Sequence, residues 1–141
     1  MNWLPLALST AVAFGAYNVF IKLGSGKIDQ VLGAVVLQVV AALLGGAYAI
    51  ILKLDGRQLA VTGAGLRFSA LAGVAVGLAE ILTFVVFARG APAALATPVI
   101  MGGSVLVAAL AGVLLLGERV ALAQVAGMLL VAGGIVLLTR G

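Results

Sequence analysis

Five stretches of this chain are long and apolar enough to cross a lipid bilayer, and that pattern leaves few folds open. A helix rising about 1.5 Å per residue needs roughly 20 apolar residues to cover about 30 Å of hydrocarbon. The stretches Trp3 to Ile21, Val31 to Leu52, Leu66 to Ala88, Pro92 to Leu116 and Leu122 to Leu138 meet that requirement. Hydrocarbon offers the backbone no hydrogen-bond partner, so each run must be a helix or a strand of a closed barrel. Barrel strands are about ten residues long and alternate in polarity, which these runs do not. The expected fold is therefore all-α: a polytopic membrane bundle of five transmembrane helices, forming one domain over residues 1–141.

Composition narrows the function classes. With 65% hydrophobic and 9% charged residues, a fold of this size could not cover itself with polar surface in water. The net charge of +4 comes from basic residues standing singly at the ends of apolar runs, so no nucleic-acid surface is expected. Cysteine and histidine are absent from the sequence, which removes the usual zinc and haem ligands, and neither cofactor nor metal is expected. No basic segment precedes the first run, so that run is expected to remain as a helix rather than be cleaved as a signal peptide. Trp3 at its start reads as an interface anchor. Turn and charge residues mark four short connections: Gly24-Ser25-Gly26-Lys27, Asp55-Gly56-Arg57, Arg89-Gly90 and Gly117-Glu118-Arg119.

Lysine and arginine near span ends normally decide which way a membrane protein inserts. Here one side of the membrane receives Lys53, Arg57, Arg67 and Arg119, and the other receives Lys22, Lys27, Arg89 and Arg140. The division is equal, and moving the span boundaries by a few residues carries none of these groups across. Nothing in the sequence therefore favours one orientation over the other. A half-transporter that pairs with its own inverted copy would have this character.

Glu80 is the only ionisable residue deep within a span. A charged side chain at bilayer depth costs at least about 2.5 to 3.5 kcal/mol on insertion scales, so its presence needs a compensating reason. Two fit: a carboxyl that binds and releases a proton or a cationic solute, or a protonated structural group joining helices. Helical spacing puts Gly73, Gly77, Phe84 and Phe87 on the same face, small at one end and aromatic at the other, a wall suited to a cavity. Further candidates to line it are Tyr17 and Asn18 in the first span, Gln38 in the second, Thr83 in the third, and Thr97 and Ser104 in the fourth. Hydroxyls in membrane helices usually bond a carbonyl one turn back, which favours a local role for Thr83, Thr97 and Ser104. The amides of Asn18 and Gln38 are expected to need partners beyond their own helix. Pro98, inside the fourth span, frees a carbonyl one turn earlier and is a candidate kink or hinge. The third span holds Gly73-x-x-x-Gly77, and glycines recur in the fourth and fifth, so close helix packing is expected. There is no histidine base, phosphate-binding glycine loop or carboxylate pair within one turn, so no enzymatic activity is expected.

The stretch from Glu80 to Leu138 resembles the second part of an EamA domain of the drug/metabolite transporter superfamily. The resemblance is carried by Thr97-Pro98, Gly117-Glu118-Arg119, Gln124 and Gly127, and by Ala132-Gly133-Gly134. Phe14-Gly15-Ala16-Tyr17-Asn18 followed by Lys22 is similar to that domain's opening helix. The resemblance implies a single EamA-like five-helix domain, one half of a ten-helix inverted-repeat transporter, as in the short bacterial and archaeal members. It further implies a carrier of small organic solutes in a prokaryotic inner membrane, completed by a second subunit. Combined with the equal charge division, the expectation is an antiparallel, dual-topology homodimer working by alternating access, with a proton or other cation as possible partner. The alternatives are one half of a heterodimer or a non-transporting membrane subunit. The glutamate that the superfamily's four-helix exporters carry in their first helix has no counterpart in the first span here, so the case for Glu80 rests on its burial. Glu118 precedes the fifth helix, where a carboxylate favours the helix N-terminus, and reads as structural.

Overall fold

The computed structural model describes residues 3–140. They form five helices and no strands: α1 (Leu4–Gly24), α2 (Gln30–Leu54), α3 (Gly63–Ala88), α4 (Ala93–Leu116) and α5 (Leu122–Thr139). All five are long and apolar enough to span a membrane. The chain divides into two compact units, one ending at Gly90 and the other beginning at Ala91.

In the first unit α3 is the central element, packing on both α1 and α2. Local chemistry sets the helix starts. Pro5 occupies the first turn of α1, where its missing N–H costs nothing. The Asp29 carboxylate accepts from the amides of Val31 at 2.9 Å and Leu32 at 3.2 Å, capping α2. The Thr62 hydroxyl accepts from the Gly65 amide at 3.1 Å, so α3 begins at Gly63 rather than at Leu66, where the apolar run starts. Capping, not hydropathy, fixes that boundary. At the other end of α1 the helix continues past Ile21 through Lys22, whose ammonium reaches the Phe87 carbonyl at 3.5 Å and lies 5.6 Å from the Phe87 ring centre. A cation placed at the last turn of α3 also complements that helix's dipole.

In the second unit α4 packs on α5. Gly102 lies under Ile135 and Val131, and a Cβ there would stand 3.0 Å from the first and 3.2 Å from the second. This is close packing of the kind the glycine pattern predicts. Gly117 ends α4 with φ of 68°, a left-handed conformation that favours glycine, and the Glu118 amide donates to the Gly112 carbonyl at 3.0 Å. The Glu118 carboxylate folds back over Gly112. Glu118 therefore contributes to the end of α4 through both its amide and its side chain. The start of α5 is held by Gln124, whose side-chain oxygen accepts from the Ala121 amide at 2.7 Å. Alanine has no side-chain acceptor, so only this half of a capping box exists.

Outside these contacts the helices present leucine, valine and isoleucine outward, Trp3 among the exposed residues at the start of α1. Such a surface suits hydrocarbon, which gives no penalty for exposing apolar side chains.

Candidate functional site

Burial in the first unit is concentrated on few residues, and several are polar. On α3 the buried positions are Glu80, Thr83, Phe84 and Phe87, a single stripe at helical spacing. On α1 they are Asn18 and Ile21. The stripes meet where α1 packs on α3. Tyr17 donates its hydroxyl to the Glu80 carboxylate, and Lys22 reaches the Phe87 carbonyl further along. Both partners advance together along the chain, so the two helices run in the same direction, as alternate spans must.

Glu80 is 6% exposed and takes its hydrogen bond from a side chain on another helix. A hydrogen bond to a charged group contributes about 1.5 to 3 kcal/mol net, which is comparable to the insertion cost of the carboxylate and can offset it. Asn18 is more deeply enclosed, at 1% exposed. Its amide nitrogen donates to the Phe14 carbonyl of its own helix at 2.8 Å. The expected partner beyond α1 is thus not used by the donor side. The carbonyl oxygen of the same side chain, Oδ1, is buried without a hydrogen-bond partner among the described residues. Thr83 behaves as its residue type suggests, donating its hydroxyl to the Ala79 carbonyl at 2.8 Å.

Gln38 of α2 lies against Gly77, one turn before Glu80; a Cβ at Gly77 would stand 3.3 Å from its amide nitrogen. Phe84, one turn beyond Glu80, presses on α2 nearer its start. A Cβ on Gly33 would come within 2.7 Å of the Phe84 ring, so the ring occupies space that only glycine leaves open. Gly73, predicted on the same face, has no side chain or other backbone near it.

Between α1 and α2 lies an open cavity of about 840 Å³, lined by Ala13, Tyr17 and Phe20 of α1, by Gly33, Val40 and Leu44 among others of α2, and by Phe84 of α3. Its walls are almost wholly apolar, and the Tyr17 hydroxyl is the polar group that connects them to Glu80. A smaller hollow of about 290 Å³ at the start of α3, lined by residues such as Thr62, Gly65 and Ser69, contains no ionisable group.

The first unit thus brings together Tyr17, Asn18, Glu80, Thr83 and Phe84, with Gln38 one turn away. Thr97, Pro98 and Ser104 belong to α4 in the second unit. The Ser104 hydroxyl donates to the Met101 carbonyl of its own helix at 2.7 Å, Thr97 is partly buried, and α4 continues without interruption through Pro98. The contact of Lys22 with Phe87 was not expected. A basic residue in the last turn of α1, level with the end of another span running the same way, is the signal that could have found it.

Five membrane-length helices, with a buried acid and an apolar cavity in the unit formed by the first three, define a polytopic α-helical membrane protein. The EamA-like transporter family model matches residues 1–140, and the chain belongs to that family, one of membrane transporters in the drug/metabolite transporter superfamily. Its members are transporters rather than enzymes, and the family implies a small solute as substrate and the lipid bilayer as surroundings. No curated protein and no solved structure matches the chain.

Proposed function

We propose that this chain is one half of a carrier for small organic solutes. Two copies in opposite orientations complete it, and Glu80 binds the proton or cationic solute that is exchanged. The observation that carries the reading is the partly buried Tyr17–Glu80 hydrogen bond, with Tyr17 standing on the wall of an apolar cavity. Inverted-repeat carriers hold substrate near the middle of the bilayer, and Glu80 lies well inside its span. A carboxylate at that depth exchanges its hydrogen-bond donor for a proton or a cation at low cost only if a pathway reaches it, and the cavity bordering Tyr17 supplies one. The equal division of basic residues supports insertion in both orientations. The single five-helix repeat supports assembly from two chains, each acting as one domain. A prokaryotic inner membrane is the setting this size of family member suggests.

The test is exchange in liposomes. Solute gradients should drive proton movement with the native chain, and Glu80→Gln should abolish it while the protein remains folded. Unchanged pH-dependent transport in Glu80→Gln would reduce Glu80 to a structural link between α1 and α3.

A further inference from the structure

We propose that the site around Glu80 prefers a primary amine carrying an apolar body over a quaternary ammonium ion of the same body. This inference rests on the reading of Glu80 as the cation-binding group and specifies the chemistry of its ligand.

Successive residues of an α-helix are turned by about 100°, so Asn18 and Ile21 fall on the arc between Tyr17 and Lys22. Both of those residues touch α3, the first at Glu80 and the second at Phe87. Asn18 therefore faces α3 between these two contacts, level with the turn that follows Glu80. Its orientation is set by the bond from Nδ2 to the Phe14 carbonyl at 2.8 Å, which leaves Oδ1 as the end still open. That oxygen is buried and meets no donor among the described residues. A buried carbonyl in this condition is costly unless something donates to it.

The nearby hydroxyls do not remedy this. Thr83 gives its proton to Ala79, and Tyr17 gives its own to Glu80. The site thus offers acceptors, two carboxylate oxygens and one amide oxygen, against a single donated hydroxyl. A protonated primary amine brings three N–H donors and a positive charge, whereas a quaternary ammonium brings the charge and no donor. An amine head taking the place of the Tyr17 hydroxyl on Glu80 would have the unpaired oxygen of Asn18, the next residue of α1, as its second acceptor. Tyr17 belongs to both the carboxylate's bond and the cavity wall, so displacing it would join the two. The cavity's aliphatic and aromatic lining suits a ligand body without further polar groups.

The experiment is calorimetric titration of the purified full chain with 2-phenylethylamine and with its N,N,N-trimethyl derivative. The primary amine should bind about tenfold more tightly or better, the worth of a hydrogen bond to a charged group. Asn18→Leu should remove that difference. Asn18→Asp keeps an acceptor and should keep the difference, so the result stands even if the leucine variant does not fold. Glu80→Gln should abolish binding of both compounds. Equal affinities that are both lost in Glu80→Gln would overturn the amine preference and leave Glu80 as a cation site. Binding of either compound that survives Glu80→Gln would overturn the cation reading, and failure of both to bind the native chain would overturn the amine proposal.

Discussion

The two units of this chain use the same small residue for different ends. In the second, Gly102 lets Val131 and Ile135 approach α4, and Gly112 leaves room for Glu118 to fold back and complete the helix end. These contacts join apolar surfaces and close a turn. In the first, Gly33 and Gly77 make room for the Phe84 ring and the Gln38 amide, on either side of Glu80. There the space created by glycine shapes a polar site and the cavity beside it. A glycine-rich membrane helix therefore indicates close approach, and only the group that fills the gap says whether the approach serves packing or a binding site.

This difference can be tested by substitution, with stability read from unfolding titrations in mixed micelles. The largest effect is expected at Gly33. A methyl group there meets a rigid ring rather than a flexible chain end, and Gly33→Ala should cost about 1 to 3 kcal/mol and reduce transport as well. Tyr17→Phe comes next. It keeps the ring in the cavity wall but removes the hydroxyl from Glu80, for a loss of about 1 to 2 kcal/mol and a changed dependence of transport on pH. In the second unit Gly117→Ala forces a side chain into a left-handed backbone and should cost about 1 kcal/mol, with transport per folded molecule retained. Gly112→Ala should be mildest, below about 0.5 kcal/mol, because the obstructing group is the exposed end of Glu118, which can swing aside. If Gly112→Ala were as damaging as Gly33→Ala, the distinction between the two units would fail.

Much of the fold was legible in the sequence because hydrocarbon imposes a length and a hydropathy that soluble folds do not. The fourth helix differs from its expected start by one residue, while the end of α1 and the start of α3 each differ by three, the latter because of the Thr62 cap, a hydrogen bond that hydropathy does not register. The site was legible residue by residue but not as an arrangement. Glu80 stands out because charge in a span is costly, and Tyr17 and Asn18 because they are polar in an apolar run. That Tyr17 donates to Glu80 across 63 positions depends on how α1 packs against α3, which no local pattern specifies. Asn18 shows the limit in the other direction. Its need for a partner could be anticipated, but only the structure separates the satisfied nitrogen from the unpaired oxygen.

If the chain becomes a carrier by meeting its own inverted copy, transport requires both orientations in one membrane. Lysines added to the second and fourth connections should hold all copies one way up, and lysines added to the first and third should hold them the other way. Each variant alone is predicted to insert and fold but not to move solute, while the two produced together restore transport. Transport by either orientation-locked variant alone would show that no inverted copy is needed.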